Sequence, residues 1–162
     1  MPLIKDGRFI TDAWRHLGDA DTTPEGDAVT VSLTRWTSER DALYRREGRV
    51  GLRLPNDAAA MALARDIERF DLITLSFPRF TDGRAYSQAR VLRARLGFRG
   101  ELRATGDVLR DQLLFMRRCG IDAFEVGDRA AAENWLAAFE DFGLFYQPAE
   151  DARPWIGRQR VG

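Results

Sequence analysis

The sequence predicts an α/β protein, a single domain of repeated βα units with about five mainly parallel strands. From residue 29 onward, short apolar strand patterns alternate with amphipathic helix patterns. The 162 residues suffice for one domain with a sizeable hydrophobic core. Hydrophobic residues make up 44% of the chain and charged residues 31%, a balance typical of globular proteins.

The chain opens with a predicted β-hairpin. Asp6-Gly7 stands between two apolar pairs, and this dipeptide favours a type I′ turn because glycine tolerates positive φ. Glycine, aspartate, threonine and proline in residues 18–28 indicate a loop. We therefore expect an N-terminal hairpin and loop in residues 1–28, an α/β domain in residues 29–148 and a flexible tail in residues 149–162.

The predicted α/β domain alternates five strands with five helices. The strand patterns lie at residues 29–33, 50–54, 72–76, 101–104 and 121–126. The helix patterns lie at residues 38–46, at 56–70 with Asn56 as N-cap, at 85–96 before Gly97, at 107–119 before Gly120, and at 131–142.

Two architectures are consistent with this alternation of strands and helices. A doubly wound, flavodoxin-like three-layer sheet accommodates five strands in about 130 residues. A partial (βα) barrel has the same local pattern, and closure of a sheet is not visible in a sequence. We expect the open, flavodoxin-like sheet, with residues 72–76 as a central strand.

Composition limits the function classes. The net charge is zero, which argues against nucleic-acid binding. No apolar run approaches the roughly 20 residues that span a bilayer, and the N-terminus lacks the apolar core of a signal peptide. We therefore expect a cytoplasmic protein without membrane contact. Lys5 is the only lysine, so arginine supplies nearly all of the positive charge, by coding bias or by a preference for guanidinium.

The chain has one cysteine, Cys119, and one histidine, His16. This excludes a disulfide within the chain and a site built from several Cys and His ligands, so we predict no metal. A Ser-His-Asp catalytic set would need His16, which lies in a weakly patterned segment. Cys119 follows a helix C-terminus, where the dipole disfavours a thiolate.

Two loops contain most of the residues capable of chemistry. They follow the third and fourth predicted strands, at residues 77–87 and 105–112, and should lie side by side at the carboxyl edge of the sheet. Helix N-termini there offer free N–H groups to an anion. The predicted ligand or partner site comprises Arg79, Thr81, Asp82, Gly83, Arg84, Tyr86, Ser87, Arg103, Thr105, Gly106, Asp107, Arg110 and Gln112.

Each of these features has a simpler interpretation. Thr81 or Asp82, and Thr105 or Asp107, are also ordinary N-caps, and the arginines could form surface ion pairs. Asp82, Asp107 and Glu125 follow successive strands and could hold Mg²⁺ or act as acid and base. Phe77, Phe80 and Tyr86 could form an exposed aromatic patch for a partner, or pack over the sheet edge.

Three segments resemble a bacterial family of unknown function. They are the opening MPLIKDGRF, the FPRFTDGRAYS that follows Ser76, and the GELRATGDVLRDQ that begins at Gly100. The resemblance covers nearly the whole chain. Members are described as oxidoreductases of sulfite reduction, a label that comes from their genes lying beside that of assimilatory sulfite reductase.

The resemblance implies a place in sulfate assimilation but no catalytic residue. Electron transfer to sulfite needs a flavin, a nicotinamide or a metal centre, and no motif for one occurs in the chain, so we predict no cofactor. We expect a non-catalytic accessory protein that binds sulfite reductase or a neighbouring sulfur-assimilation enzyme. The alternatives are a small enzyme or sensor for an oxyanion or phosphorylated metabolite at the same loops, and a flavodoxin-like electron carrier.

Overall fold

The computed structural model describes residues 1–79, 81–127 and 129–142. These residues form one mostly parallel, strongly curled sheet of eight strands, a half-barrel. The strands are β1 (Leu3–Lys5), β2 (Arg8–Ile10), β3 (Arg15–His16), β4 (Val29–Ser32), β5 (Val50–Leu54), β6 (Leu72–Phe77), β7 (Glu101–Gly106) and β8 (Ala123–Glu125).

The strand order is β2-β1-β8-β7-β6-β5-β4-β3. From β3 to β8 each strand pairs in parallel with the next one along the chain. A flavodoxin-like sheet reverses direction at a switch point and carries helices on both faces. Here each crossover moves the same way, and right-handed crossovers then place their helices on one face. The flavodoxin-like prediction is therefore wrong, and the partial barrel, expected as the alternative, is the arrangement found.

The N-terminal strands extend this sheet and account for the strands beyond the predicted five. β1 pairs antiparallel with β8, and β2 pairs antiparallel with β1. The predicted hairpin is confirmed, with positive φ at both Asp6 (50°) and Gly7 (70°). The predicted tail, residues 149–162, lies outside the described residues.

A short segment, residues 11–14, forces the sheet to curl. It joins β2 to β3, which are the two opposite edges of the sheet. Eight strands laid flat would separate their outer edges by about 34 Å, at about 4.8 Å per gap. The segment reaches at most about 17 Å. The edges must therefore approach each other, and we call residues 11–14 the strap.

Five α-helices lie within the described residues. They are α1 (Leu33–Ser38), α2 (Arg40–Arg45), α3 (Arg84–Arg90), α4 (Leu113–Arg118) and α5 (Arg129–Phe142). A π-helical turn, Val91–Arg95, continues α3, and Gly97 and Gly120 end their helices with φ of 66° and 93°, as expected.

The helix predicted over residues 56–70 is absent. That stretch contains only two 3₁₀ turns, Ala60–Leu63 and Ile67–Arg69. Tertiary contacts compete with its helical pattern, since the Gln88 side chain donates to the Pro55 and Ala58 carbonyls and the Asp66 carboxylate accepts from Trp36 and Arg40.

Alternation along the strands separates an apolar face from a polar one. Ile73, Leu75 and Phe77 of β6 belong to the hydrophobic core beneath the helices. We call the opposite side the second face. It carries polar side chains on successive strands, among them Lys5, Thr30, Arg53, Thr74, Arg103 and Glu125.

Candidate functional site

The loops after β6 and β7 lie side by side, as the sequence predicts. Phe77 pairs with Gly106 at the ends of the two strands, and the Asp107 N–H donates to the Phe77 carbonyl at 2.7 Å. Gly106 has a φ of 95°, and a Cβ there would lie 2.4 Å from the Phe77 oxygen. This close backbone approach requires glycine and fixes the two loops against each other.

Asp82 organises the start of α3. Its carboxylate accepts the Arg84 backbone N–H at 3.1 Å and the Arg84 guanidinium at 2.6 Å. Asn56 Nδ2 donates to the same carboxylate at 2.6 Å, so Asn56 is not the N-cap predicted for it. The hydrogen bonds from Arg84 lower the pKa of Asp82 to about 2. The ionised Asp82 carboxylate therefore occupies the position in which a bound anion would accept hydrogen bonds from Asn56 and Arg84.

A third loop, after β5, joins this edge. Gln88 Nε2 donates to the Pro55 carbonyl at 2.7 Å and to the Ala58 carbonyl at 2.8 Å. These bonds tie residues 55–58 to α3, and the Asn56–Asp82 contact ties them to the loop after β6. The carboxyl ends of β5, β6 and β7 therefore form one connected edge.

Aromatic packing links this edge to α4. Tyr86 is buried, and its ring makes edge-to-face contacts with Phe77 and Phe115 at 5.1 and 4.7 Å between centroids. Burial raises the pKa of Tyr86 to about 12. Phe77 and Tyr86 therefore pack over the sheet edge, one of the two alternatives that the sequence offered, whereas Phe80 lies outside the described residues.

Exposed apolar and cationic groups adjoin this packing. Phe115 is 43% exposed and Leu109 38%, and the Arg90 guanidinium lies 5.5 Å from the centre of the Phe115 ring. Arg79, Arg84 and Arg110 are exposed on the loops that follow β6 and β7. We call this set the strand-end surface: Arg79, Arg84, Arg90, Leu109, Arg110 and Phe115.

The other predicted site residues on these loops have mixed exposure. Thr105 is half-buried and its hydroxyl lies 3.4 Å from the Leu75 carbonyl oxygen, and Gln112 is also half-buried. Exposed positions are Thr81, Gly83, Ser87, Gly106 and Asp107.

Arg103 lies apart from the strand-end surface. It is only 1% exposed and projects from the middle of β7 onto the second face. Its guanidinium contacts Asp12 Oδ2 at 2.8 Å, Glu101 Oε1 at 2.9 Å and Glu125 Oε1 at 3.4 Å. Burial would lower the pKa of Arg103, but the Asp12 and Glu101 carboxylates outweigh it and raise that pKa. The structure does not bring Arg103 together with Arg84.

The second face holds a polar network that the sequence did not predict. Lys5 Nζ donates to Glu101 at 2.8 Å. His16 lies between Asp12 Oδ2, at 2.9 Å, and the Thr30 hydroxyl, at 2.7 Å. The sequence did contain an indication of this network, because the predicted strands carry polar residues at alternate positions, as at Thr30 and Arg103. The strap that completes the network had no strand pattern.

Potential metal ligands gather here rather than at the loops. Asp12, His16 and Glu125 place one ligand atom each within 4.8 Å of the others. Glu125 faces Arg103 on the second face, whereas Asp82 pairs with Arg84. The Asp82–Asp107–Glu125 site considered from the sequence therefore has no support in this geometry.

Comparison with protein families confirms the resemblance at the family level. The model of a family described as "Bacterial protein of unknown function (DUF934)" matches residues 51–156. The chain belongs to this family. The DUF934 match begins in β5 and includes both loops of the strand-end surface. The family description does not mention sulfite reduction, and a search of curated proteins finds no match.

The described part of this DUF934 protein contains no helix with the length and apolarity that a bilayer crossing requires.

Proposed function

We propose that this protein is a non-catalytic accessory protein of assimilatory sulfite reduction. It binds sulfite reductase, or a neighbouring enzyme of sulfur assimilation, through the strand-end surface. The observation that carries the proposal is the adjacency of two rigidly paired loops with exposed apolar and arginine side chains. The pathway comes from the family resemblance.

The composition of the strand-end surface suits a protein partner. Aromatic residues and arginine are enriched at interfaces and dominate their binding energy. Phe115 is held between Tyr86 and Arg90, so little side-chain entropy remains to be lost on binding. The arginines favour an acidic surface on the partner.

The two alternatives have less support. An oxyanion would compete with the Asp82 carboxylate for Arg84, and Arg103 is enclosed by carboxylates on another face. The sequential strand order removes the structural basis for a flavodoxin-like carrier. An accessory role needs neither an anion site nor a redox group.

The test is direct binding to an assimilatory sulfite reductase from the same organism. We expect a saturable complex in calorimetry, and we expect Phe115→Ala to weaken it roughly 30-fold, the effect of losing a hot spot of about 2 kcal/mol. Arg110→Ala should slow association and reduce its dependence on salt, because charges at an interface rim act mainly on the rate of encounter.

Tyr44→Ala is the matched control. Tyr44 is 45% exposed and has the Arg40 guanidinium 5.5 Å from its ring, but it lies on α2. This variant should bind like wild type. No complex with sulfite reductase, or equal weakening by Phe115→Ala and Tyr44→Ala, would contradict the proposal. Sulfite or phosphate binding that Arg84→Ala abolishes would favour the oxyanion alternative instead.

A further inference from the structure

The second face offers three metal-ligating side chains from three separate elements. Asp12 comes from the strap, His16 from β3 and Glu125 from β8, and their ligand atoms lie within 4.8 Å of one another. We propose that they form a binding site for a borderline divalent cation such as Zn²⁺. The site is independent of the strand-end surface.

Hydrogen bonds outside the ligand set orient two of the ligands. Asp12 Oδ1 accepts the Trp14 backbone N–H at 3.1 Å, which turns Oδ2 toward His16 Nε2, 2.9 Å away. His16 Nδ1 lies 2.7 Å from the hydroxyl of Thr30, a fully buried residue of β4. Ligating histidines characteristically donate their second N–H to such a partner. Thr30 can therefore hold the ring with its proton on Nδ1 and Nε2 free for a cation.

Three carboxylates converge on this part of the second face. Asp12, Glu101 and Glu125 supply three carboxylates, whereas Arg103 and Lys5 supply two positive charges against them. Two further arginines lie on this face: Arg53 donates to Thr30 and to the Leu17 carbonyl, and Arg8 of β2 lies opposite Lys5. Among the groups joined by ion pairs, three carboxylates therefore face two cations when His16 is neutral.

Arg103 and the proposed cation would share the carboxylates of Asp12 and Glu125, since Asp12 Oδ2 contacts both the Arg103 guanidinium and His16 Nε2. Arg103 is 1% exposed and approaches them from within the sheet. The His16, Asp12 and Glu125 side chains are 42%, 28% and 20% exposed, so a cation from solvent can reach all three. One imidazole nitrogen and two carboxylates suit Zn²⁺, with water completing the tetrahedron.

The experiment is a calorimetric titration with Zn²⁺ alone, on protein stripped of metal and freed of any histidine tag. We expect one ion per chain, and we expect His16→Ala and Glu125→Gln each to weaken binding at least about tenfold. Glu47→Gln, at an exposed carboxylate on the loop after α2, should leave Zn²⁺ binding unchanged.

The histidine provides a second readout, because His16 is the only one in the chain. Without metal, the 2.9 Å contact between Nε2 and the Asp12 carboxylate calls for a proton on Nε2, whereas a bound cation requires the proton on Nδ1. Zn²⁺ should therefore switch the tautomer seen in ¹⁵N spectra. Lack of stoichiometric binding by wild type, undiminished binding by His16→Ala, or an unchanged tautomer would each overturn the proposal.

Discussion

The role of Arg103 in the fold differs from the role that its position in the sequence suggests. Its place near two polar loops suggested a donor for an anion. In the fold, three carboxylates surround it and almost no surface remains exposed. A buried charge with its partners in place is tolerated, whereas carboxylates left without their cation are costly.

At this scale we predict that Arg103→Met destabilises the fold severely. The variant fills the space but leaves Asp12, Glu101 and Glu125 facing each other without the guanidinium. The free energy of unfolding should fall by roughly 3–5 kcal/mol. Urea denaturation monitored by circular dichroism would measure the loss.

Arg84→Ala is the control for this prediction. Arg84 also contacts a carboxylate, Asp82, but it is exposed to solvent. Exposed ion pairs contribute little, so its denaturation midpoint should barely move. An Arg103→Met variant as stable as Arg84→Ala would show that the buried network does not hold the second face together.

At the scale of elements, the ends of β6 and β7 determine the position of both loops. Gly106 permits the contact because it has no Cβ and adopts a φ of 95°. Gly83, at the start of α3, has a φ of −77° and open space around it. Both glycines belong to the predicted site, but only Gly106 has a backbone conformation and a close contact that exclude a Cβ.

We therefore predict opposite effects of alanine at these positions. Gly106→Ala should destabilise by more than about 1 kcal/mol, because the Cβ meets the Phe77 backbone and the conformation is strained. Gly83→Ala should be neutral or stabilising by up to about 1 kcal/mol, because it restricts the unfolded chain. Thermal melts of both variants would decide, and equal effects would contradict this account of the loop pairing.

At the scale of the whole molecule, the N-terminal segment completes the half-barrel. β1 covers the edge of β8, and the strap brings Asp12 to Arg103. Lys5 and His16 add contacts to β7 and β4. Residues 1–28 are thus joined to the sheet by strand pairing as well as by ion pairs.

We predict that residues 29–162 alone do not fold cooperatively. Removal of residues 1–28 would expose the edges of β4 and β8 and leave Arg103 without Asp12. Circular dichroism should show no sharp thermal transition, and a peptide of residues 1–28 added in trans should restore one. A truncated protein that melts like the full chain would show that the N-terminal segment is dispensable for the fold.

The sequence by itself determined the features that depend on near neighbours. The Asp6-Gly7 hairpin, the interior strand at residues 72–76, and the stops at Gly97 and Gly120 follow from local backbone preferences and short-range periodicity. The adjacency of the loops after β6 and β7 also followed, because consecutive parallel strands place their carboxyl ends together.

Only the tertiary structure decided the direction of successive crossovers, the curl of the sheet and the second face. A βα unit has the same pattern whether the next strand is added on one side or the other. Arg103 meets Asp12, which lies 91 positions away in the chain, only because the strap joins the two edges of the sheet. Local patterns carry no information on such a contact, since it depends on how the whole sheet closes.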